Sequence, residues 1–316
     1  MIVVKAIGVS RISLFVIFIF LVITACKTTD VGSSKQNQLP LITQDLKSLS
    51  NSNGKIVESR HINVKSKWSD KTECYKIKYL SDGLKVVGFV VRPKTNGPKF
   101  PVIVYNRGGN REYGKINEGT LRYLSYLSSN GYVILASQYR GNDGGQGREE
   151  FGGKDINDVL NIIKLAKSLP FVDPSKIVML GYSRGGMMTY LAIKHGAEIK
   201  AAAVVGGLTD LGQMYNEREE GMKDVIRELV GANKSEWEKR SAVYWPNLIN
   251  IPVLILQGED DWRTKPSQVK NLSEKLKNAG KVYELVIFPK GDHGLDTHRS
   301  ERNRKIFDWF EKYLRH

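Results

Sequence analysis

The chain has 316 residues, 41% of them hydrophobic, and 48 Lys and Arg against 33 Asp and Glu give it a formal net charge of +15. That length is ample for one large α/β domain. The basic residues are scattered, with no zinc-finger spacing and no aromatic ribonucleoprotein pattern, so the charge points to an anionic membrane or wall surface and not to nucleic acid.

At the amino terminus, Lys5 and Arg11 precede an apolar run over residues 12–23 that has the length and flanks of a secretory signal and is short for a membrane span. The run closes in Ile23-Thr24-Ala25-Cys26, which resembles a bacterial lipobox. In such signals the cysteine becomes the first mature residue and carries the lipid. An uncleaved anchor is the competing reading, and both tether the protein to a membrane outside the cytoplasm. Residues 28–53 are rich in Ser, Asn, Gln and Lys and have little to bury. The expected division is a signal over 1–25, a flexible tether over 26–55 and a folded domain over 56–316. With Cys26 lipidated, Cys74 has no partner and no intramolecular disulfide is expected, even in an oxidising compartment.

Residues 73–80 and 84–91 read as two strands around the tight turn Ser81-Asp82-Gly83. A polar connection over 93–99 leads into a strand over 100–105, which runs into Asn106-Arg107-Gly108-Gly109-Asn110. Residues 120–129 fit a helix stopped by Asn130-Gly131, 132–137 the next strand, and 140–153 a glycine-dense loop. Ile156, Val159, Leu160, Ile163 and Ala166 mark one face of an amphipathic helix over 155–169. The turn pair Asp173-Pro174 then introduces a short buried strand over 177–180, and a helix follows over 185–195. A small-residue strand covers 201–205. Residues 208–250 are more charged and helical in character, with Trp237, Tyr244 and Trp245 as packing anchors. Strands over 253–256 and 282–288 enclose a helix over 266–279, and Ile306, Phe307, Trp309, Phe310, Tyr313 and Leu314 form the apolar face of a closing helix. This alternation predicts a mostly parallel, doubly wound α/β sheet with helices on both faces.

Between the 177–180 strand and the helix after it, Gly181-Tyr182-Ser183-Arg184-Gly185 fits G-x-S-x-G. A serine on so sharp a strand-to-helix turn presents its hydroxyl at the carboxyl edge of the sheet. The flanking glycines are needed because a β-carbon there would strike the neighbouring strand and helix. The helix start also aims backbone N–H groups at an oxyanion formed beside the serine. A plain tight turn is the bland alternative, but the strand before and the helix after supply the context the motif requires.

In a doubly wound sheet, chemistry collects at the carboxyl ends of strands. The 253–256 strand exits into Gln257-Gly258-Glu259-Asp260-Asp261-Trp262, and the 282–288 strand into Pro289-Lys290-Gly291-Asp292-His293-Gly294. Serine, acid, histidine is the chain order that α/β-hydrolases use. Of the five histidines, His61 lies in a polar lead-in, His195 at a helix end, and His298 and His316 flank the closing helix. Only His293 leaves a strand in a glycine-flanked loop. It is placed to take the serine proton and return it to the leaving group, while a carboxylate fixes its tautomer. Asp292, its neighbour in sequence, is poorly placed for that and reads as a turn residue.

Gly181 to Gly186, Gln257-Gly258-Glu259-Asp260-Asp261-Trp262-Arg263-Thr264-Lys265-Pro266-Ser267-Gln268 and Gly291-Asp292-His293-Gly294 together resemble the catalytic domain of the prolyl oligopeptidase family of serine peptidases. The Asp82-Gly83 hairpin, Tyr139-Arg140-Gly141, and Asp155 with Asp158 before Val172-Asp173-Pro174 are similar to it as well, in order across residues 73–314. The resemblance implies an α/β-hydrolase fold, with the nucleophile at Ser183 and the base at His293. Counting from Gln257-Gly258, where the family usually has His-Gly, it implies Asp261 as the acid, with Asp260 the alternative and Glu259 behind it. It also implies two oxyanion donors. One is the Arg184 backbone N–H, and the other is the Asn106 amide or the Arg107 backbone N–H, where family members often carry Tyr or His.

The 141–153 loop lacks the G-x-x-x-x-G-K-[ST] spacing, and Asp155 after Lys154 disfavours phosphate, so it reads as a flexible loop near the site. Without H-E-x-x-H or paired cysteines, no metal or cofactor is expected. Glu217, Glu219 and Glu220 read as a solvated face. Arg184 and Arg107 suggest a site that favours substrates bearing a carboxylate or other anion, internal pairing being the alternative. Many members of the family carry a β-propeller ahead of the catalytic domain, for which the tether and hairpin region leave no room. The function expected is a Ser-Asp-His hydrolase working through an acyl-enzyme on short peptides. A carboxylesterase for small or cell-envelope esters is the second reading, and a non-catalytic surface-binding lipoprotein the third.

Overall fold

Nine strands form one sheet in the order β1-β2-β3-β5-β4-β6-β7-β8-β9 in the structure, a computed structural model that describes residues 52–95 and 97–315. The signal-like run, Cys26, the tether as far as residue 51, and His316 lie outside the described residues. In chain order the strands are β1 (Ile56–Ile62), β2 (Thr72–Ser81), β3 (Leu84–Pro93), β4 (Phe100–Asn106), β5 (Val133–Ser137), β6 (Val172–Tyr182), β7 (Ala201–Val205), β8 (Val253–Gly258) and β9 (Tyr283–Phe288). β1, β2, β3 and β5 pair antiparallel, and every pairing from β5 to β9 is parallel. The parallel strands β5, β7 and β8 are buried throughout, as unbroken apolar runs covered on both faces must be. The β2–β3 hairpin closes on Asp82 and Gly83, both with positive φ (51° and 77°), which matches the right-handed twist of the strands.

Helices α1 (Glu118–Ser129) and α8 (Arg299–Leu314) cover one face of the sheet; α2 (Ile156–Ser168), α3 (Arg184–Lys194) and α7 (Pro266–Asn278) cover the other. β4 lies between β5 and β6, so the chain leaves β4 to one side through α1 and crosses back through α2. That reversal opens a crevice at the carboxyl ends of β4 and β6, the place where open α/β sheets bind ligands.

Three expectations need correction. β1 is a strand where the sequence reads as a polar lead-in: only Ile56 is fully buried, because β1 is an edge strand and alternation is weak there. The 208–250 segment is broken into α4 (Leu211–Glu217), α5 (Glu220–Leu229), α6 (Lys234–Lys239) and two short 3-10 turns, with Gly231 at φ 91° and Pro246 among the breaks. Trp245 is buried and Trp237 stacks on Tyr215 at 4.6 Å, but Tyr244 is 53% exposed, with Lys275 Nζ 5.6 Å from its ring. Third, the glycine-dense loop is held in place: Gly141 N–H donates to Gln146 O (2.8 Å) and Gln146 N–H to Lys85 O (2.9 Å).

The Asp173-Pro174 turn lies inside β6 as a bulge. Phe100 pairs with Val172 and Val102 with Ile177, and the Asp173 carboxylate accepts from Ser175 N–H (3.0 Å). Cys74, on β2, is a buried free thiol that burial pushes up to about 12.

Candidate active site

Ser183 stands between β6 and α3 with φ 55° and ψ −123°, a conformation that costs a non-glycine residue roughly 1–3 kcal/mol. Its surroundings enforce it. Ser183 N–H donates to Val205 O (2.9 Å), and its carbonyl accepts from Gly186 N–H (2.8 Å) and Leu208 N–H (3.2 Å). A β-carbon on Gly185 would lie 1.9 Å from Asn106 O, so only glycine lets the start of α3 approach the end of β4 this closely.

Asp261 and His293 come from the loops after β8 and β9. His293 Nδ1 lies 2.8 Å from Asp261 Oδ2. The same oxygen faces Gln257 Nε2 (2.9 Å) and the Thr264 hydroxyl (2.9 Å), while Oδ1 accepts the N–H groups of Arg263 (2.9 Å) and Thr264 (3.1 Å). Burial alone would raise the Asp261 carboxyl. Hydrogen bonding and charge from His293, with the two Thr264 donors, outweigh it and hold the carboxyl below its ordinary value. The other acids point elsewhere: Glu259 accepts from Lys290 N–H (3.2 Å), Asp260 is exposed, and Asp292 caps the turn by accepting from Asp296 N–H (2.8 Å). Gly206 at the end of β7 supports the pair, since a β-carbon there would sit 2.6 Å from His293 O and 3.2 Å from Asp261 Oδ2.

Ser183 and His293 line one cavity of about 590 Å3. Phe151, Leu208, Met214, Met222 and Val225 give it an apolar wall, and Tyr113, Arg218, Trp262 and Arg263 also line it. Arg218 and Arg263 lie over the exposed Trp262 ring at 4.9 and 5.3 Å. Among the described residues no group of three or more His, Cys, Asp or Glu is placed to hold a metal ion.

The Arg184 N–H, first in α3, has no intrahelical acceptor and belongs to the helix start beside Ser183. The Asn106 amide does not join it: Asn106 is buried and its Nδ2 donates to Thr189 Oγ1 (2.9 Å). The part of the loop that reaches the serine is Gly108, whose β-carbon, if present, would be 3.1 Å from Ser183 Cβ and 3.7 Å from Oγ.

Both arginines expected to draw anionic substrates are paired internally, which overturns that reading. Arg184 is 2% exposed; it reaches Glu149 (2.5 Å) and Asp155 (2.6 Å), and its guanidinium stacks between Tyr139 and Phe151. Arg107 is 1% exposed, donates to Gln138 O from Nε (3.2 Å) and Nη2 (3.0 Å) and to Arg111 O (3.0 Å), and lies 3.6 Å from Glu149. Glu149 also accepts the Arg111 N–H (3.1 Å), tying the loop after β4 to the glycine-dense loop. Beside this cluster, Arg140 joins Asp158 (2.8 Å) and Asp82 (2.8 Å), and Asp158 accepts from Ser81 (2.6 Å). The scattered residues that carry the family resemblance thus meet in a buried charged scaffold behind the serine. Sequence reasoning missed Glu149, Gly108, Gly206, Gln257 and Thr264; the glycines ending β7 and following β4 were the signal available for two of them.

A strained serine on a strand-to-helix turn and a His–Asp pair on the ends of β8 and β9, set in an α/β-hydrolase sheet, define a serine-type hydrolase. The chain belongs to the prolyl oligopeptidase family, which matches residues 120–316. It is 32% identical over 248 residues to the uncharacterized peptidase YtmA of Bacillus subtilis, a match that covers 77% of this chain and 95% of that protein. The acylaminoacyl peptidase of Pyrococcus horikoshii superposes with a TM-score of 0.66 at 26% identity, covering 77% of this chain and 42% of that one. The acetyl xylan esterase of Paenibacillus sp. R4 shares the fold, with a TM-score of 0.63 at 19% identity over 81% of this chain and 89% of that one. The chain therefore spans almost all of YtmA but less than half of the acylaminoacyl peptidase, and these relatives favour a peptidase.

Proposed function

We propose that the protein cleaves short peptides through an acyl-enzyme, with Ser183 as nucleophile, His293 as general base and Asp261 as the acid that orients it. The observation carrying this reading is the 2.8 Å contact of His293 Nδ1 with Asp261 Oδ2, beside the cavity that Ser183 also lines. The Nδ1 contact leaves Nε2 to take the Ser183 proton as Oγ attacks the scissile carbonyl. The tetrahedral oxyanion is received by the Arg184 N–H and by a backbone N–H of the loop after β4, at Arg107 or at Gly108, which lies against Ser183. His293 then gives the proton to the departing amine, and water repeats the sequence to release the acid. The apolar wall suits an uncharged substrate side chain.

The test is labelling of the full chain with a fluorophosphonate probe, with and without Ser183→Ala, beside matched amide and ester substrates. We expect the label on Ser183, none on the variant, and turnover of the amide. A folded parent that takes no label would overturn the hydrolytic reading, and turnover of esters alone would replace the peptidase with an esterase.

The same proposal places the protein in the cell envelope, held by lipid on Cys26. Cys26→Ser is expected to move it from the membrane fraction to the soluble fraction. Unchanged partition of that variant would count against the lipid anchor.

A further inference from the structure

We infer that Gln257 is a positioning residue of the site, donating a hydrogen bond to the oxygen of Asp261 that holds His293; this rests on the triad proposed above. Gln257 is the penultimate residue of β8, and its side chain is fully buried. Three acceptors surround its Nε2: Asp261 Oδ2 (2.9 Å), Thr264 O (2.9 Å) and Gly258 O (3.2 Å). Turning the amide over would set Oε1 against all three, oxygen to oxygen, so the network fixes which end is nitrogen. The other end bears a cost. Gln257 Oε1 is buried without a partner, a loss that an apolar side chain of the same shape would avoid.

An amide that leaves its own acceptor unsatisfied in order to donate beside the His293 contact is poor packing and good positioning. Thr264 does not replace it, because its single hydroxyl proton is divided between Gly206 O (2.8 Å) and Asp261 Oδ2 (2.9 Å). The Gln257 bond does two things. It fixes the carboxylate in the plane that meets His293 Nδ1, and it withdraws charge from Oδ2, which lowers the basicity felt by the imidazole. His293 is the titratable group in contact with Asp261. Glu259, Asp260 and Arg263 share its loop, Asp292 lies on the histidine loop, and Lys265 faces Glu217 (3.8 Å) where α7 begins.

Gln257→Met keeps the volume and removes the donor; Gln257→His returns one. For Gln257→Met we expect kcat/KM at its plateau to fall about tenfold, the size of one hydrogen bond to a charged group, and the acid limb of the pH profile to move up by about half a unit. Gln257→His is expected to restore both. If Gln257→Met folds too poorly to assay, the isosteric Gln257→Glu puts a second carboxyl against Asp261 and is expected to move the same limb up. A Met or Glu variant with an altered melting temperature but an unmoved acid limb would make Gln257 a structural residue and end the inference. Fluorophosphonate labelling of the parent is run alongside. A parent that fails to label removes the triad itself, whereas a parent that labels beside variants with unmoved limbs removes only the role of Gln257.

Discussion

Asp261→Asn is expected to lower kcat by about four orders of magnitude, while Asp260→Asn and Glu259→Gln stay within about twofold of the parent. The asymmetry follows from where the three acids point. Only Asp261 touches His293 Nδ1, and it does so from a buried position where donors converge on both of its oxygens. An asparagine has one acceptor oxygen instead of two. If its oxygen keeps the two backbone N–H groups of Arg263 and Thr264, its amide nitrogen turns toward His293. The imidazole must then carry its proton on Nε2, where it cannot accept the one from Ser183. If the amide turns the other way, its nitrogen faces those two backbone donors, and a buried clash of donors costs about 1–3 kcal/mol of stability. Both orientations lose: the first in rate, and in packing too because its nitrogen also faces Gln257 Nε2, the second in folding. Steady-state kinetics on an amide substrate with unfolding midpoints would separate them. An Asp261→Asn enzyme within tenfold of the parent, or an Asp260→Asn enzyme that is inactive, would move the acid elsewhere.

Which parts of this arrangement a reader of the sequence can see is itself a physical matter. The strands β5, β7 and β8 are continuous apolar runs because both faces are covered, and such runs stand out. The G-x-S-x-G turn and the two loops ending in Asp261 and His293 are legible because glycine marks each place where backbone must approach backbone. β1 is not legible, since an edge strand with polar residues on most positions has no pattern that separates it from a tether. Nor is the 208–250 region, where length and charge suggest helix but local breakers decide how many. The larger failure concerns charge. From the sequence, Arg184 and Arg107 beside a nucleophile suggest anion binding. Only the fold reveals that Glu149 and Asp155, 35 and 29 residues before Arg184, come back to meet it. Partner choice across a crossover connection is set by topology, which residue order alone does not express.

That internal pairing leads to the other large effect. Arg184→Met is expected to destabilise the protein by about 3–5 kcal/mol, because removing the cation leaves two buried carboxylates facing each other across its place. The deficit should depend on pH in a direction that can be worked out. Burial already raises the Asp155 carboxyl above its ordinary value, with the Arg184 charge as the main opposing influence. Without that charge the value rises further. A carboxyl raised in the folded state stabilises folding only while it is protonated, so its contribution is whole below the unfolded value and is lost as pH rises through the folded one. The gap between parent and variant is therefore expected to narrow as pH falls from about 7 to about 5. Denaturant midpoints at the two values test this, and a gap that stays constant or widens toward acid would refute it. The rate should suffer as well, although Ser183, Asp261 and His293 are untouched. Glu149 ties Arg184 to the Arg111 N–H, and the same loop carries Gly108 against Ser183. If the freed loop takes its backbone N–H away from the oxyanion, turnover falls by the hundred- to thousand-fold (about 3–4 kcal/mol) that one lost donor costs. Arg184 would then serve the oxyanion twice, with its own N–H and with the side chain that holds the second donor in place.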